Sequence, residues 1–133
     1  MPQTLTEDDF FSGLFAALAL RGWTALSLRD QRVDRAAAAA FDDLMRRAQE
    51  EHLDVLFRIR LHSLHGDSLT FRNSVYSGAQ RGMLSLDNPE YQDVRRQISQ
   101  IEARRILQDV PGGERLFGDL AETFQKHYDG VPA

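Results

Sequence analysis

The sequence predicts an all-α protein, a single-domain bundle of about five helices around one long central helix. Apolar residues keep one helical phase from Val33 to Ile59, at the three- and four-residue spacing typical of the buried side of a helix. From Leu53 onward, a second apolar row lies on another side of the same helix. Capping residues, glycines and prolines divide the rest of the chain into shorter amphipathic segments.

The predicted central helix covers residues 34–64 and would be roughly 46 Å long at about 1.5 Å per residue. A helix that is apolar on two sides needs neighbours on both. The second row must therefore be covered by the N-terminal helix or by another copy of the protein. We predict self-association through this row, which consists of Leu53, Phe57, Leu61 and Leu64.

Residues 57–62 also fit a strand, because apolar and polar side chains alternate there. With Gly66-Asp67 as a turn and residues 68–75 as a second strand, the chain would form a small hairpin at 55–75 in an α+β fold. The helical phase passes from Phe41 to Ile59 without interruption. This favours the helix, and the hairpin remains the alternative.

Start and stop signals place the other helices. Thr6 is a capping residue followed by acidic residues, which stabilise the positive end of a helix, and Gly22 is suited to end that helix. Pro89 opens a later helix as its first residue. The helices predicted besides the central one are residues 6–20, 68–85, 89–109 and 114–128. Residues 129–133 are predicted to be a flexible tail.

Length and composition indicate one globular domain of 133 residues, of which 42% are apolar and 27% charged. Cysteine is absent, which excludes disulfides, thiolate metal ligands and cysteine nucleophiles. The formal net charge of −4 disfavours a general nucleic-acid binder, because such domains are usually basic. Nearly all basic residues are arginine, which together with the alanine run at 36–40 indicates a GC-rich bacterial genome.

The N-terminal segment carries no targeting or membrane-spanning signal. Its first residues are acidic where a secretory signal is positive. The apolar run at residues 14–20 is much shorter than the roughly 20 residues that a membrane-spanning helix needs. We expect a cytoplasmic protein.

Residues Gly66 to Leu69 spell GDSL. This resembles the motif of the GDSL (SGNH-type) esterases and lipases, and the resemblance implies that Ser68 is a nucleophile on a turn after a buried strand. The match covers only these residues. The family also has a late Asp-x-x-His pair, whereas the residue three before His127 is Phe124. The chain is also short for that α/β fold, so the sequence favours a helix junction here.

The best metal candidate is formed by His62, His65 and Asp67. Two histidines at positions i and i+3 of a helix can share an ion, with the carboxylate as third ligand. No further ligand from another segment can be identified. Surface histidines are therefore favoured, and we predict no metal and no other cofactor.

Two further polar features lie in the predicted central helix. His52 falls within the main apolar stripe, so we expect it to be buried and hydrogen-bonded. Acidic residues between positions 42 and 54 stand at pairing distances from Arg46 and Arg47. This predicts an ion-paired face exposed to solvent rather than a carboxylate metal site.

Residues 55–83 form a basic stretch in an otherwise acidic chain. Its arginines could bind an anion, an acidic protein surface or a nucleic-acid backbone. The candidate anion- or partner-binding residues are Arg58, Arg60, Arg72 and Arg81. A structural interpretation competes with this one, since Arg72 and the later Arg105 fall in apolar stripes and can pair with Glu102 or another acid inside the bundle. The sequence favours the structural interpretation.

The leading functional prediction is a non-catalytic helical protein–protein interaction module that self-associates, such as an adaptor, a regulatory subunit or a small assembly component. It rests mainly on the lack of a nucleophile–base pair, a phosphate loop or a glycine fingerprint in the sequence. The first alternative is a nucleic-acid or anion-binding module that uses the 58–81 arginines. Two less favoured alternatives are a GDSL-like serine hydrolase and a histidine-ligated metalloprotein. The expected partner is another protein or a second copy, and nucleic acid is less favoured.

Overall fold

The computed structural model describes residues 3–23, 25–27, 32–57, 78, 82–85 and 93–128. Helices account for most of these residues, and a few short strands accompany them. The helices are α1 (Glu7–Leu20), α2 (Arg32–Arg47), α3 (Gln100–Asp109) and α4 (Gly113–Tyr128). The strands are β1 (Gln3–Leu5), β2 (Ala25–Ser27), β3 (Leu53–Val55), β4 (Leu84–Ser85) and β5 (Asp93–Arg96). A mainly helical fold is confirmed, but the described residues are not a purely α-helical bundle.

The strands form two small sheets. β1 and β3 are parallel, with Gln3 opposite Leu53 and Leu5 opposite Val55. The second sheet has the order β2-β5-β4 and is antiparallel throughout. Each sheet therefore joins segments that are far apart in the sequence, so its pairing depends on the tertiary fold.

The long helix predicted at 34–64 is wrong over residues 48–57, and residues 58–64 lie outside the described residues. α2 ends at Arg47, the chain turns over residues 48–52, and β3 follows. His52 has a φ of 55°, a left-handed conformation that reverses the chain direction and is incompatible with a continuing helix. From residue 52 to 57, side chains alternate between exposed and buried, as in a strand with one covered side. A strand is present at 53–55, just before the residues 57–62 that the alternative assigns to a strand, and it pairs with β1. Residues 58–75 of the predicted hairpin lie outside the described residues.

The centre of the fold is α1, which the sequence predicts as a peripheral helix. It is buried over almost its whole length from Phe10 to Ala19. Thr6 caps it as predicted: its hydroxyl accepts from the Asp9 backbone N–H, and the Asp9 carboxylate accepts from the Thr6 N–H. The other end is closed around Gly22, whose φ is 89°. The backbone N–H of Trp23 donates to the Leu18 carbonyl at 3.0 Å, which completes a Schellman motif.

α4 crosses α1 at very short distance and runs in the same direction. Phe117 lies against Gly13 in the first half of α1, and Gln125 accepts a hydrogen bond from the Arg21 side chain at its C-terminal end. Glycine is needed at position 13, because a Cβ there would lie 2.6 Å from a ring atom of Phe117. The helix predicted at 114–128 is confirmed, with its first residue at Gly113.

The two remaining predicted helices are wrong in part. In the segment 89–109, residues 93–96 form β5, and α3 begins only after the cap Ser99. In the segment 68–85, residues 84–85 form β4, while most of the remainder lies outside the described residues. β5 is the central strand and pairs with both β2 and β4, which a helical pattern does not anticipate.

Candidate interaction surface

A polar network holds α2 against α4. Asp43 is only 5% exposed. Its Oδ1 accepts from Arg47 Nε at 3.0 Å and from Arg46 Nη2 at 3.3 Å, and its Oδ2 accepts from Thr123 Oγ1 at 2.8 Å. Arg47 Nη1 also donates to Asp119 Oδ2 at 2.8 Å. Asp43 pairs with Arg46 and Arg47 as the sequence predicts, but it lies inside the helix interface rather than on a face exposed to solvent.

The balance of these interactions decides the charge state of Asp43. Burial alone raises the pKa of its carboxyl group. The hydrogen bonds from Thr123 and Arg47, together with the positive charges of Arg47 and Arg46, lower it by more, so the net pKa lies below the ordinary value of 3.8. The hydrogen bond to Asp43 raises the pKa of Arg47 in return. A carboxylate held ionised with both oxygens occupied fixes the register of two helices and is poorly suited to transfer protons.

α3 has one buried and one exposed side. Ser99 caps the helix, and Glu102 Oε1 accepts from the Ser99 backbone N–H at 3.2 Å, which completes a capping box. Ala103 and Leu107 are buried against the rest of the protein. Because Glu102 closes the cap, the pairing of Arg105 with Glu102 inside the bundle is not formed, and Arg105 is exposed.

The exposed side of α3 combines an apolar residue with two cations. Ile101 is 69% exposed, the highest value among the large apolar residues of the described segments. Arg104 and Arg105 follow at i+3 and i+4, so both lie on the same side of the helix as Ile101. Neither arginine pairs with a carboxylate within the described segments. We call Ile101, Arg104 and Arg105 the α3 surface.

A second exposed apolar residue lies beside an acid on β3 and its continuation. Leu56 is 64% exposed, and Asp54, two residues earlier, is also exposed. Residues two apart on an extended chain point to the same side, so these two side chains are neighbours. We call Asp54 and Leu56 the β3 surface. Its charge is opposite to that of the α3 surface.

The β3 surface lies at the N-terminal end of α1, whereas α3 begins near the C-terminal end of α1. β1 leads into the N-terminus of α1 through Thr6, and β3 is paired with β1, so the β3 surface is at that end. At the other end, Arg96 Nη1 of β5 donates to the carbonyl of Ala19 at 3.0 Å, and α3 begins after the short segment 97–99. α3 then runs back, because a turn at 110–112 joins it to the N-terminus of α4, which starts near the first half of α1. α1 has 14 residues and is therefore roughly 21 Å long.

The predicted self-interface is placed only in part. Leu53 is 8% exposed within β3, and the ring of Phe57 packs 5.3 Å from those of Phe10 and Phe41, measured between centroids. Leu61 and Leu64 lie outside the described residues. Both described members of the row thus contribute to contacts within the chain, at the N-terminal end of α1.

The other candidate residues fall in the segment that the structure does not describe. They are the anion- or partner-binding candidates Arg58, Arg60, Arg72 and Arg81, the candidate nucleophile Ser68, and the metal candidates His62, His65 and Asp67. His52 is described and is exposed, not buried as expected, because the chain has left the helix before it reaches this residue. The late positions considered for a hydrolase pair belong to α4, where Phe124 is a core residue and His127 is exposed.

The described segments also contain no set of three or more His, Cys, Asp or Glu side chains close enough to hold a metal ion. Among the helices of these segments, none combines the length and apolarity that crossing a bilayer requires. No family model, curated protein or solved structure matches this chain.

Sequence reasoning missed the α3 surface because it assigned the wrong start to the helix. A helix that began at Pro89 would place Ile98 and Ile101 together on one apolar face. In the structure Ile98 precedes the helix and is buried, whereas Ile101 is exposed. The signal that could have found this is Ser99-x-x-Glu102, a capping-box pattern that marks a helix start.

Proposed function

We propose that this protein is a non-catalytic interaction module that self-associates, and that the α3 surface is one of its contact sites. The observation that carries the proposal is the exposure of Ile101 beside two arginines without carboxylate partners in the described segments. An apolar side chain next to arginine is typical of the centre of a protein interface, where arginine is enriched among the residues that dominate affinity.

The charged and polar groups of the described core support a binding role over catalysis. The Asp43 network occupies both carboxylate oxygens and joins two helices. The capping boxes at Thr6 and Ser99 use their carboxylates to close helix ends. These carboxylates therefore already make hydrogen bonds that stabilise the fold, whereas the exposed groups of α3 can contact a partner.

The nucleic-acid or anion-binding alternative keeps its original candidates, the arginines between residues 58 and 81. The arginines of the α3 surface give it less support, because their apolar neighbour is Ile101 and not an aromatic side chain. Sequence-tolerant binding of single strands uses aromatic rings on which bases stack. An aliphatic neighbour favours a protein partner.

The test is the absolute mass in solution by light scattering, measured over a range of protein concentrations at low and high salt. We expect a species heavier than the 15.1 kDa chain at both salt levels, with weaker association at high salt because the charges are screened. Ile101→Asp should raise the dissociation constant by roughly tenfold or more, as expected for an apolar residue at the centre of an interface.

Arg115→Glu is the matched control, since Arg115 is an exposed arginine of α4 outside the α3 surface. It should leave the mass unchanged. A protein that stays at the mass of one chain at every concentration would contradict self-association. Self-association that Ile101→Asp does not weaken would exclude the α3 surface as a contact site.

A further inference from the structure

The α3 surface and the β3 surface are complementary in chemistry. Each has one strongly exposed aliphatic side chain, Ile101 on one and Leu56 on the other. The first stands beside Arg104 and Arg105, and the second beside Asp54. Bringing the two together would bury both aliphatic side chains and place a carboxylate next to guanidinium groups, which is the arrangement that steers and orients protein association.

Within one chain these surfaces do not meet, because Ile101 is 69% exposed and Leu56 is 64% exposed. A contact between them must therefore join two copies. It can be made once per pair of copies, head to tail, or twice, in a closed two-fold dimer in which each α3 surface faces the β3 surface of the other copy.

We infer that the partner of the α3 surface is the β3 surface of a second copy of this chain. The inference rests on the proposed self-association and names the two surfaces that form the contact. If the contact is made once per pair of copies, one unused surface remains at each end, and the mass increases with concentration beyond that of a dimer until a ring closes or a filament grows. If it is made twice, the mass stops at that of a dimer.

Two variants test the contact by mixing. The first, with Ile101→Asp, Arg104→Glu and Arg105→Glu, removes the α3 surface and keeps the β3 surface. The second, with Asp54→Arg and Leu56→Arg, removes the β3 surface and keeps the α3 surface. Because the substituted side chains lie on the outside of the fold, circular dichroism of each variant should match that of the parent protein. Arg115→Glu again serves as the charge-reversal control.

Each variant alone is expected to have the mass of one chain. An equimolar mixture has one intact pair of surfaces, so it should form a species of twice the single-chain mass that grows no further. This result would be specific, since a contact of the α3 surface with itself would let the second variant associate alone and would not be restored by mixing.

The outcomes separate this inference from the proposed function. If the parent protein associates but the mixture stays at the mass of one chain, the contact between the two surfaces is wrong and self-association remains. If the second variant still associates by itself, the α3 surface binds something other than the β3 surface, which also overturns the inference. A parent protein that is monomeric throughout would overturn both, and would direct the α3 surface to an acidic partner of a different kind.

Discussion

The close crossing of α1 and α4 gives a stability prediction that can be worked out from distances. A Cβ added at Gly13 would lie 2.6, 2.7 and 2.8 Å from three ring atoms of Phe117. Ordinary carbon–carbon contacts are about 3.5–4.0 Å, so the ring would have to move by roughly 1 Å. Phe117 is completely buried and packs against Phe10 with ring centroids 6.4 Å apart, so it has no open space to move into.

We expect Gly13→Ala to lower the free energy of unfolding. Overpacking of a well-packed core costs about 1–3 kcal/mol. Alanine regains up to about 1 kcal/mol over glycine in a helix, which reduces the net loss but does not remove it at the middle or upper end of that range. For a domain of this size, each kcal/mol corresponds to a fall of roughly 3–5 °C in the melting temperature.

Gly118→Ala is the matched control on the partner helix. A Cβ at position 118 meets no atom within 4 Å, so this variant should gain the helix-propensity contribution alone, about 0.5–1 kcal/mol. The difference between the two variants isolates the steric cost at the crossing. Urea unfolding can be followed by circular dichroism and by the fluorescence of Trp23, the one tryptophan of the chain, which is buried and stacks on Phe15.

The reasoning is refuted if Gly13→Ala is as stabilising as Gly118→Ala. A double-mutant cycle sharpens the test, because Gly13→Ala and Phe117→Leu should be coupled. With the smaller leucine at position 117, the methyl group added at position 13 would occupy part of the space left by the ring. The double variant should therefore be more stable than the sum of the two single changes predicts.

Two further predictions concern the polar network and the helix end. The folded-state pKa of Asp43 is depressed, so the carboxylate contributes stability that is present above the unfolded value of 3.8 and is lost as the pH falls through the folded value. Asp43→Asn should therefore be less stable than the parent protein at neutral pH and should lose less stability on acidification below about pH 4. Urea titrations at several pH values measure this, and an equal dependence of the unfolding free energy on pH in both proteins would contradict it. Gly22→Ala should cost about 1–2 kcal/mol, because the φ of 89° is unfavourable for alanine although the space is open, and an unchanged melting temperature would show that the helix end relaxes.

Sequence reasoning succeeded where a helix is specified by its own residues. α1 and α4 have broad apolar faces, and the ends of α1 carry local signals in Thr6 and Gly22. These signals act over a few residues, so they can be found without knowing the tertiary fold. The predicted bounds of both helices agree with the structure to within one residue.

Sequence reasoning failed where the chain changes from helix to strand without a local signal. α2 ends in a turn that uses His52 at positive φ, a conformation for which glycine is the expected residue. The following strand is stabilised by pairing with β1, about fifty residues earlier in the chain. A residue-by-residue pattern cannot show such a partner, and the helical phase that continues past Arg47 is accidental over residues 48–57.

Because the segment that contains β3 was predicted as a helix, the candidate surfaces also differ from those predicted. Leu53 and Phe57 were assigned to an outer helical row, but on an extended chain they alternate with Asp54 and Leu56 and point to the other side. Converting the segment from helix to strand thus moves the predicted interface residues into contacts within the chain and exposes their neighbours. A candidate interface therefore stays on this segment, but on different side chains.

The way in which the elements that carry the α3 and β3 surfaces are attached to α1 gives a physical reason why both can bind without large rearrangement. α1 is covered by the other helices, and its ends are fixed by Thr6 on one side and by Gly22, Arg96 and Arg21 on the other. The elements that carry the surfaces are attached at these ends, β3 through β1 and α3 through β5. Little conformational entropy remains to be lost on association at either end, which lowers the cost of binding. The contact that we propose between the α3 surface and the β3 surface of a second copy would therefore require little ordering of either element.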